Sequence, residues 1–227
     1  MADRSACIIG LFIDLAKHPP ASLRLATRNR AAAPSRLENY LMIFSLFRRA
    51  PQTITRLYGT IVAQARAPAF YGPYGVPDTV NGRFEMIVLH LVMLLRRLEC
   101  EPQPVRQLGQ GVFDLFCQDM EGSLREMGVG DLAVPRRMGR IGEAFYGRQA
   151  VYGATLAAAD PAPLRNALAR NVFALDEEAP GGLAEAAGVD RLARYVGEAI
   201  RHLARQDTAA LARGELTFPD PEMGLVP

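Results

Sequence analysis

Tryptophan is absent from the chain, and lysine occurs once, at Lys17. Every cationic side chain after it, apart from histidine, is an arginine, so the body has no amine to form a Schiff base or to lose a proton near neutral pH. Histidine is nearly as scarce. His18, His90 and His202 stand far apart and in neither of the spacings, HxxxH or HExxH, that place two imidazoles on one helix face. The cysteines are Cys7, Cys100 and Cys117, an odd number with no CxxC pair. Zinc and a disulfide framework are therefore not expected, and a reducing, cytoplasmic compartment fits. Serine is sparse, and GxSxG, P-loop and EF-hand patterns are all missing. No apolar run reaches the roughly 20 residues of a membrane span: Ala6–Ala16 is broken by Asp14 and Met86–Leu95 by His90. Ala6–Ala16 also lacks the basic flank and cleavage site of a signal peptide. These absences set the expectation of no metal, no cofactor and no catalysis.

Alanine, leucine, arginine and glutamate dominate what is present, as in helices. Hydrophobic residues make up 49% and charged residues 22%, ordinary for a chain that buries a core. The net charge of +2 is unevenly placed: residues 1–41 hold six basic and three acidic residues, and the remainder 20 basic and 21 acidic. A near-neutral body argues against bulk or specific nucleic-acid binding.

Residues 1–41 contain His18-Pro19-Pro20, an Arg/Ala-rich run and Pro34. They read as a poorly ordered extension with a short helix near Cys7–Ala16, or as a stretch ahead of the true start, with Met42 as the initiator. From Pro51 the pattern becomes regular. Thr53 is placed to cap a helix whose stripe is Ile54, Leu57, Tyr58, Ile61, Val62 and Ala65, ended by Pro68. Residues 68–82 carry three aromatics, Phe70, Tyr71 and Tyr74, among prolines and glycines, and predict an ordered loop with docked rings. Arg83–Glu99, apolar nearly all round from Met86 to Leu95, predicts the central helix of a bundle. Further helices are expected over Val105–Met120, from Pro135 to about Ala159, over Pro161–Leu175 and over Leu183–Arg205, with one turn at Ala209–Arg213. The fold class is therefore all-α: a single-domain bundle of about six or seven helices over residues 42–214, followed by a flexible tail, 215–227.

Few residues suggest chemistry. His90 between Leu89 and Leu91 reads as a satisfied core histidine. Gly109-Gln110-Gly111 lies inside a helix, and the acid pairs Glu177-Glu178 and Asp114/Asp119 read as solvated charge. An enzyme remains open only if His90, Arg83, Asp119 and Arg125 converge. Two stretches are richer: Tyr71–Gly82 with Arg83-Phe84-Glu85, and Asp119–Met138. The plain reading is a docked loop and a charge-neutralised interhelix turn, yet loops carry function more often than cores do.

Those stretches resemble the ubiquinol–cytochrome c chaperone family, bacterial relatives of the mitochondrial assembly factor for the cytochrome bc1 complex. The matching residues are Phe70-Tyr71-x-x-Tyr74-Gly75-Val76-x-Asp78-Thr79-x-x-Gly82-Arg83-Phe84-Glu85, then Leu89-His90 and Leu94-x-Arg96-Arg97-Leu98. Phe113-Asp114-x-Phe116-x-x-Asp119-Met120, Leu124-Arg125-Glu126-Met127-Gly128-Val129-Gly130-Asp131 and Tyr146-Gly147-Arg148 come after them in order. The resemblance covers about residues 42–205. It implies a binding protein rather than an enzyme. Its client would be cytochrome b or another bc1 subunit, met with a small partner protein near the ribosome and peripherally at the inner membrane. Tyr71, Tyr74, Arg83, Phe84, His90, Asp119, Arg125, Glu126, Asp131, Arg136 and Arg137 are then the expected client- or partner-binding residues, and Arg96, Arg97, Arg136, Arg137 and Arg140 could meet acidic lipid, ribosomal RNA or an acidic partner. A non-catalytic structural or adaptor subunit of a respiratory complex is the alternative.

Overall fold

A computed structural model describes residues 36–156, 160–175 and 187–222, with side chains from residue 51 onward. The described residues contain no strand. They form α1 (Arg36–Ala65), the single turn α2 (Pro68–Tyr71), α3 (Val80–Glu99), α4 (Gln103–Glu126), α5 (Val134–Thr155), α6 (Ala162–Asn171), α7 (Ala187–Arg205) and the short α8 (Thr208–Ala212). Contacts divide the chain into two units, residues 1–42 and residues 43–227, and α2 to α8 all belong to the second.

α3 lies at the centre of that second unit, as its all-round apolar sequence predicts. Residues Glu85 to Leu94 are buried without a break, and α4, α5 and α7 all pack against it. Its start is set by Thr79, whose Oγ1 accepts the Gly82 amide at 3.0 Å. A Cβ on Gly82 would stand 2.1 Å from the Pro77 carbonyl oxygen, so only glycine lets the preceding loop close onto the helix. That loop is ordered by its side chains: Phe70, Tyr74 and Val76 are buried.

Several boundaries differ from the sequence expectation. The first helix does not start at Thr53. It runs through Pro51 from Arg36, so residues 36–41 are helical rather than part of an unordered extension. Proline removes one hydrogen bond and crowds the carbonyl four residues back, which makes it a boundary signal, but the local cost can be met when the helix continues on both sides. Thr53 is instead a buried helical residue facing the Ala212 carbonyl, 3.5 Å away. α4 continues through Gly122 to Glu126 before Gly128 (φ 80°) turns the chain, and α5 begins with Pro135 in its first turn. The disorder expected for residues 1–35 and the helix at Cys7–Ala16 lie outside the described residues, as do 157–159, 176–186 and 223–227.

The expected flexible tail is docked as far as Glu222. Leu216 and Pro221 are buried and Phe218 packs on the core. The Thr217 amide donates to Gln206 Oε1 at 3.1 Å, and the Thr217 carbonyl accepts from Gln206 Nε2 at 2.7 Å. Proline excludes helix but suits an extended strap held by side-chain donors, and a proline-rich stretch need not fray when such donors are present.

Candidate functional site

The buried polar residues of α3 are the natural place to look for chemistry. His90 is completely enclosed. Its Nδ1 lies 2.8 Å from the Met86 carbonyl, which can only accept, so Nδ1 carries the proton and donates. Nε2, 2.9 Å from the Tyr195 hydroxyl, is then the acceptor. Tyr195 in turn accepts from Gln64 Nε2 at 3.0 Å, and the second hydrogen of that amide donates to the Pro219 carbonyl at 3.0 Å. Every donor in this relay meets an acceptor. Burial holds the imidazole neutral, its pKa lowered to about 4 against the small opposing effect of the Met86 bond. Rings close the cage: Phe218 stands edge-on to His90 at 5.0 Å, Phe70 at 5.6 Å, and Tyr74 donates its hydroxyl to the Pro221 carbonyl at 2.9 Å. His90 and Tyr74, both named as expected partner-binding residues, are interior, as the readings of a core histidine and docked rings predict, and they lock the C-terminal strap onto α3 and α7.

Glu85 is the second buried polar residue. Its carboxylate, 1% exposed, receives Arg148 through Nε at 3.2 Å and Nη2 at 2.8 Å. Burial pushes the carboxyl above the usual range, and Arg148 pulls it back. The pair fastens α5 to α3. Arg96 and Arg97 are likewise internal. Arg96 donates to the Gly153 carbonyl at 3.0 Å, and Arg97 donates to the Leu203 and Gln206 carbonyls, both at 2.9 Å, and to Glu101. Carbonyls at the end of a helix lack their full set of helical partners, and the guanidinium fork adds a donor to the Leu203 carbonyl, which also accepts the Gln206 amide at 3.2 Å, and to that of Gln206.

The other expected residues lie toward the surface in separate small networks. Arg83 pairs with Asp78 at 2.6 Å and covers the Tyr71 ring at 5.5 Å, while the Tyr71 hydroxyl donates to the Ala65 carbonyl at 2.7 Å. Phe84 is half-buried against Phe116. Tyr58 donates to Asp119 at 2.6 Å, its phenol pushed up by burial and then by that carboxylate. Arg125 bridges Glu121, 2.8 Å away, and Asp131. Glu126, Arg136 and Arg137 are exposed. His90, Arg83, Asp119 and Arg125 are thus held by four different sets of partners, and among the described residues none contacts another. These four residues do not converge among the described residues.

The family model described as Ubiquinol-cytochrome C chaperone matches residues 73–218, well over half of the chain. The chain belongs to the ubiquinol–cytochrome c chaperone family. A solved structure agrees: that of the Cbp3 homolog from Brucella abortus is 36% identical, with a TM-score of 0.69 over 79% of this chain and 98% of that one. No curated protein matches. The chaperone-family match takes in the Glu85–Arg148 pair and, of the His90 network, Tyr74, His90, Tyr195 and Phe218, while Gln64, Phe70, Pro219 and Pro221 lie outside it. Two of the motifs that carried the resemblance hold the fold together: Arg83-Phe84-Glu85 and Tyr146-Gly147-Arg148 meet at the Glu85–Arg148 pair.

Sequence reasoning passed over Met127 and Leu132. Their side chains are 57% and 100% exposed on the connection between α4 and α5. Their only signal was position, two large aliphatics beside Gly128 and Gly130, where helical periodicity has no rule to flag them.

Proposed function

We propose that this chain is an assembly chaperone for the cytochrome bc1 complex that holds a newly made hydrophobic subunit, with cytochrome b as the client. Membership of the ubiquinol–cytochrome c chaperone family carries this reading. The dispersal of the polar candidates into separate structural networks supports binding over turnover. No helix among the described residues is long and apolar enough to cross a membrane; a place at the periphery of the inner membrane is part of the proposed reading.

The client contact is assigned to the charges that the fold leaves on the surface of the α4–α5 connection: Arg125, Glu126 and Asp131. Arg125 is 49% exposed and already paired on both sides, so it orients a partner more than it adds affinity. Gly128, at φ 80°, gives the path that sets these residues side by side. Deleting the gene should lower assembled bc1 complex and cytochrome b in membranes. Arg125→Glu should reproduce the defect while the purified variant keeps its melting curve. Normal bc1 levels in the deletion strain would remove the chaperone reading. Normal levels with Arg125→Glu alone would move the client surface elsewhere.

A further inference from the structure

Single exposed aliphatics are ordinary on protein surfaces, but Met127 and Leu132 share one short connection, and Leu132 is fully in water. Behind them, the first two turns of α5 carry Arg136, Arg137 and Arg140, all exposed and without an ion pair among the described residues. Spacings of three and four bring Arg140 beside both of the others. The first turn of α5 holds no acid, and Asp131 is already engaged by Arg125; the exposed Glu126 and Glu143 are the remaining acids nearby in sequence. Three like charges at the end of a helix whose dipole is already positive repel one another unless an anionic partner meets them.

The chemistry of the two halves selects the partner. An RNA strand would use the arginines but would leave the aliphatic tip in water, since its bases stack on aromatic rings. An acidic peptide would do the same. The boundary of an anionic bilayer uses both halves, with acyl chains for the aliphatics and phosphate headgroups for the guanidinium groups. We propose that Met127 and Leu132, with Arg136, Arg137 and Arg140 behind them, form a docking surface for an anionic lipid bilayer. On the chaperone reading, this surface would hold the client-binding charges at the level where transmembrane segments enter the lipid.

The test uses the purified chain and two vesicle preparations, phosphatidylcholine alone and phosphatidylcholine with one lipid in three replaced by phosphatidylglycerol. The chain should co-sediment with the second and not the first, and added salt should release it. Leu132→Ser should lower partitioning about tenfold, the worth of one buried leucine. Each of Arg136→Gln, Arg137→Gln and Arg140→Gln should lower it about fivefold. Because the chain has no tryptophan, Leu132→Trp introduces a lone reporter whose emission should shift to the blue on anionic vesicles only. All these side chains are exposed, so melting curves should not move, and the sedimentation series stands even if one variant folds poorly. Failure to bind anionic vesicles, equal binding to both preparations, or binding indifferent to the arginines would each overturn the proposal. So would arginine-dependent binding of a single-stranded RNA oligomer without vesicle binding. No client is present in this assay, so a negative result leaves the chaperone reading standing, and normal bc1 assembly in a deletion strain leaves this one standing.

Discussion

Arginines on α3 and at the start of α5 have opposite fates. Arg97 is enclosed by the Leu203 and Gln206 carbonyls and Glu101, and Arg96 by the Gly153 carbonyl. Arg136, Arg137 and Arg140 stand in solvent with none of these partners. In the sequence both sets are short basic clusters at a helix end. The difference lies in what the fold brings opposite them: carbonyls at the C-terminal ends of α5 and α7 in one case and open water in the other. An arginine cluster is therefore evidence of an anionic surface only once the internal acceptors have been accounted for.

The comparison breaks most sharply at the buried end. Arg148→Ala would leave the Glu85 carboxylate buried without a counter-charge, which should destabilise by about 3–5 kcal/mol. A denaturant midpoint close to that of the parent chain would show that the pair is not what fastens α5 to α3. Replacing both partners, Glu85→Gln with Arg148→Met, should recover much of the loss, because no lone charge then remains.

Tyr74→Ala should cost a comparable amount, about 3 kcal/mol, through the cavity under the strap. Tyr74→Phe removes only the hydroxyl that donates to Pro221 and should cost about 1 kcal/mol. If neither changes the midpoint, the docking of residues 215–222 contributes nothing to stability.

His90 makes the same region sensitive to pH. It is neutral when folded, with a pKa near 4 against 6.5 in the unfolded chain. Between those values the unfolded state binds more protons, so the contribution is whole above about pH 6.5 and is lost as pH falls toward 4, amounting to about 3 kcal/mol. Glu85, whose carboxyl is raised by burial, acts in the opposite direction. The difference in stability between the parent and His90→Gln, measured across that window, isolates the histidine. A difference independent of pH would contradict the buried neutral ring.

The smallest effect sharpens the other side. Arg125→Glu breaks two exposed pairs and should leave the melting midpoint close to that of the parent chain, so a clear loss of midpoint would make the α4–α5 connection structural and not a contact surface.

Much of the fold was legible in local pattern. The nearly all-round apolar run of α3 could only be central, and the rings of residues 68–82 had to dock because prolines and glycines offered no regular hydrogen bonding. Pro51 misled because helix rules treat proline as a boundary, although the cost is local and neighbouring turns can carry it. The proline-rich end misled for a related reason: its order comes from Gln64, Tyr74 and Gln206, all distant in sequence. The site was less legible than the fold. Tyr74 and His90 carried the family resemblance, and both are interior, as the docked rings of residues 68–82 and the core reading of His90 predict.

The sequence by itself determined the all-α class, the central helix and the family, because apolar periodicity and motif order are properties of neighbouring residues. Only the tertiary structure decided that Glu85 meets Arg148, that Asp119 meets Tyr58, and that His90 is linked through Tyr195 and Gln64 to Pro219. It also decided which arginines are left in water. Pairings across 61 to 155 residues depend on how helices pack, and no local spacing encodes which acceptor will lie opposite a given guanidinium.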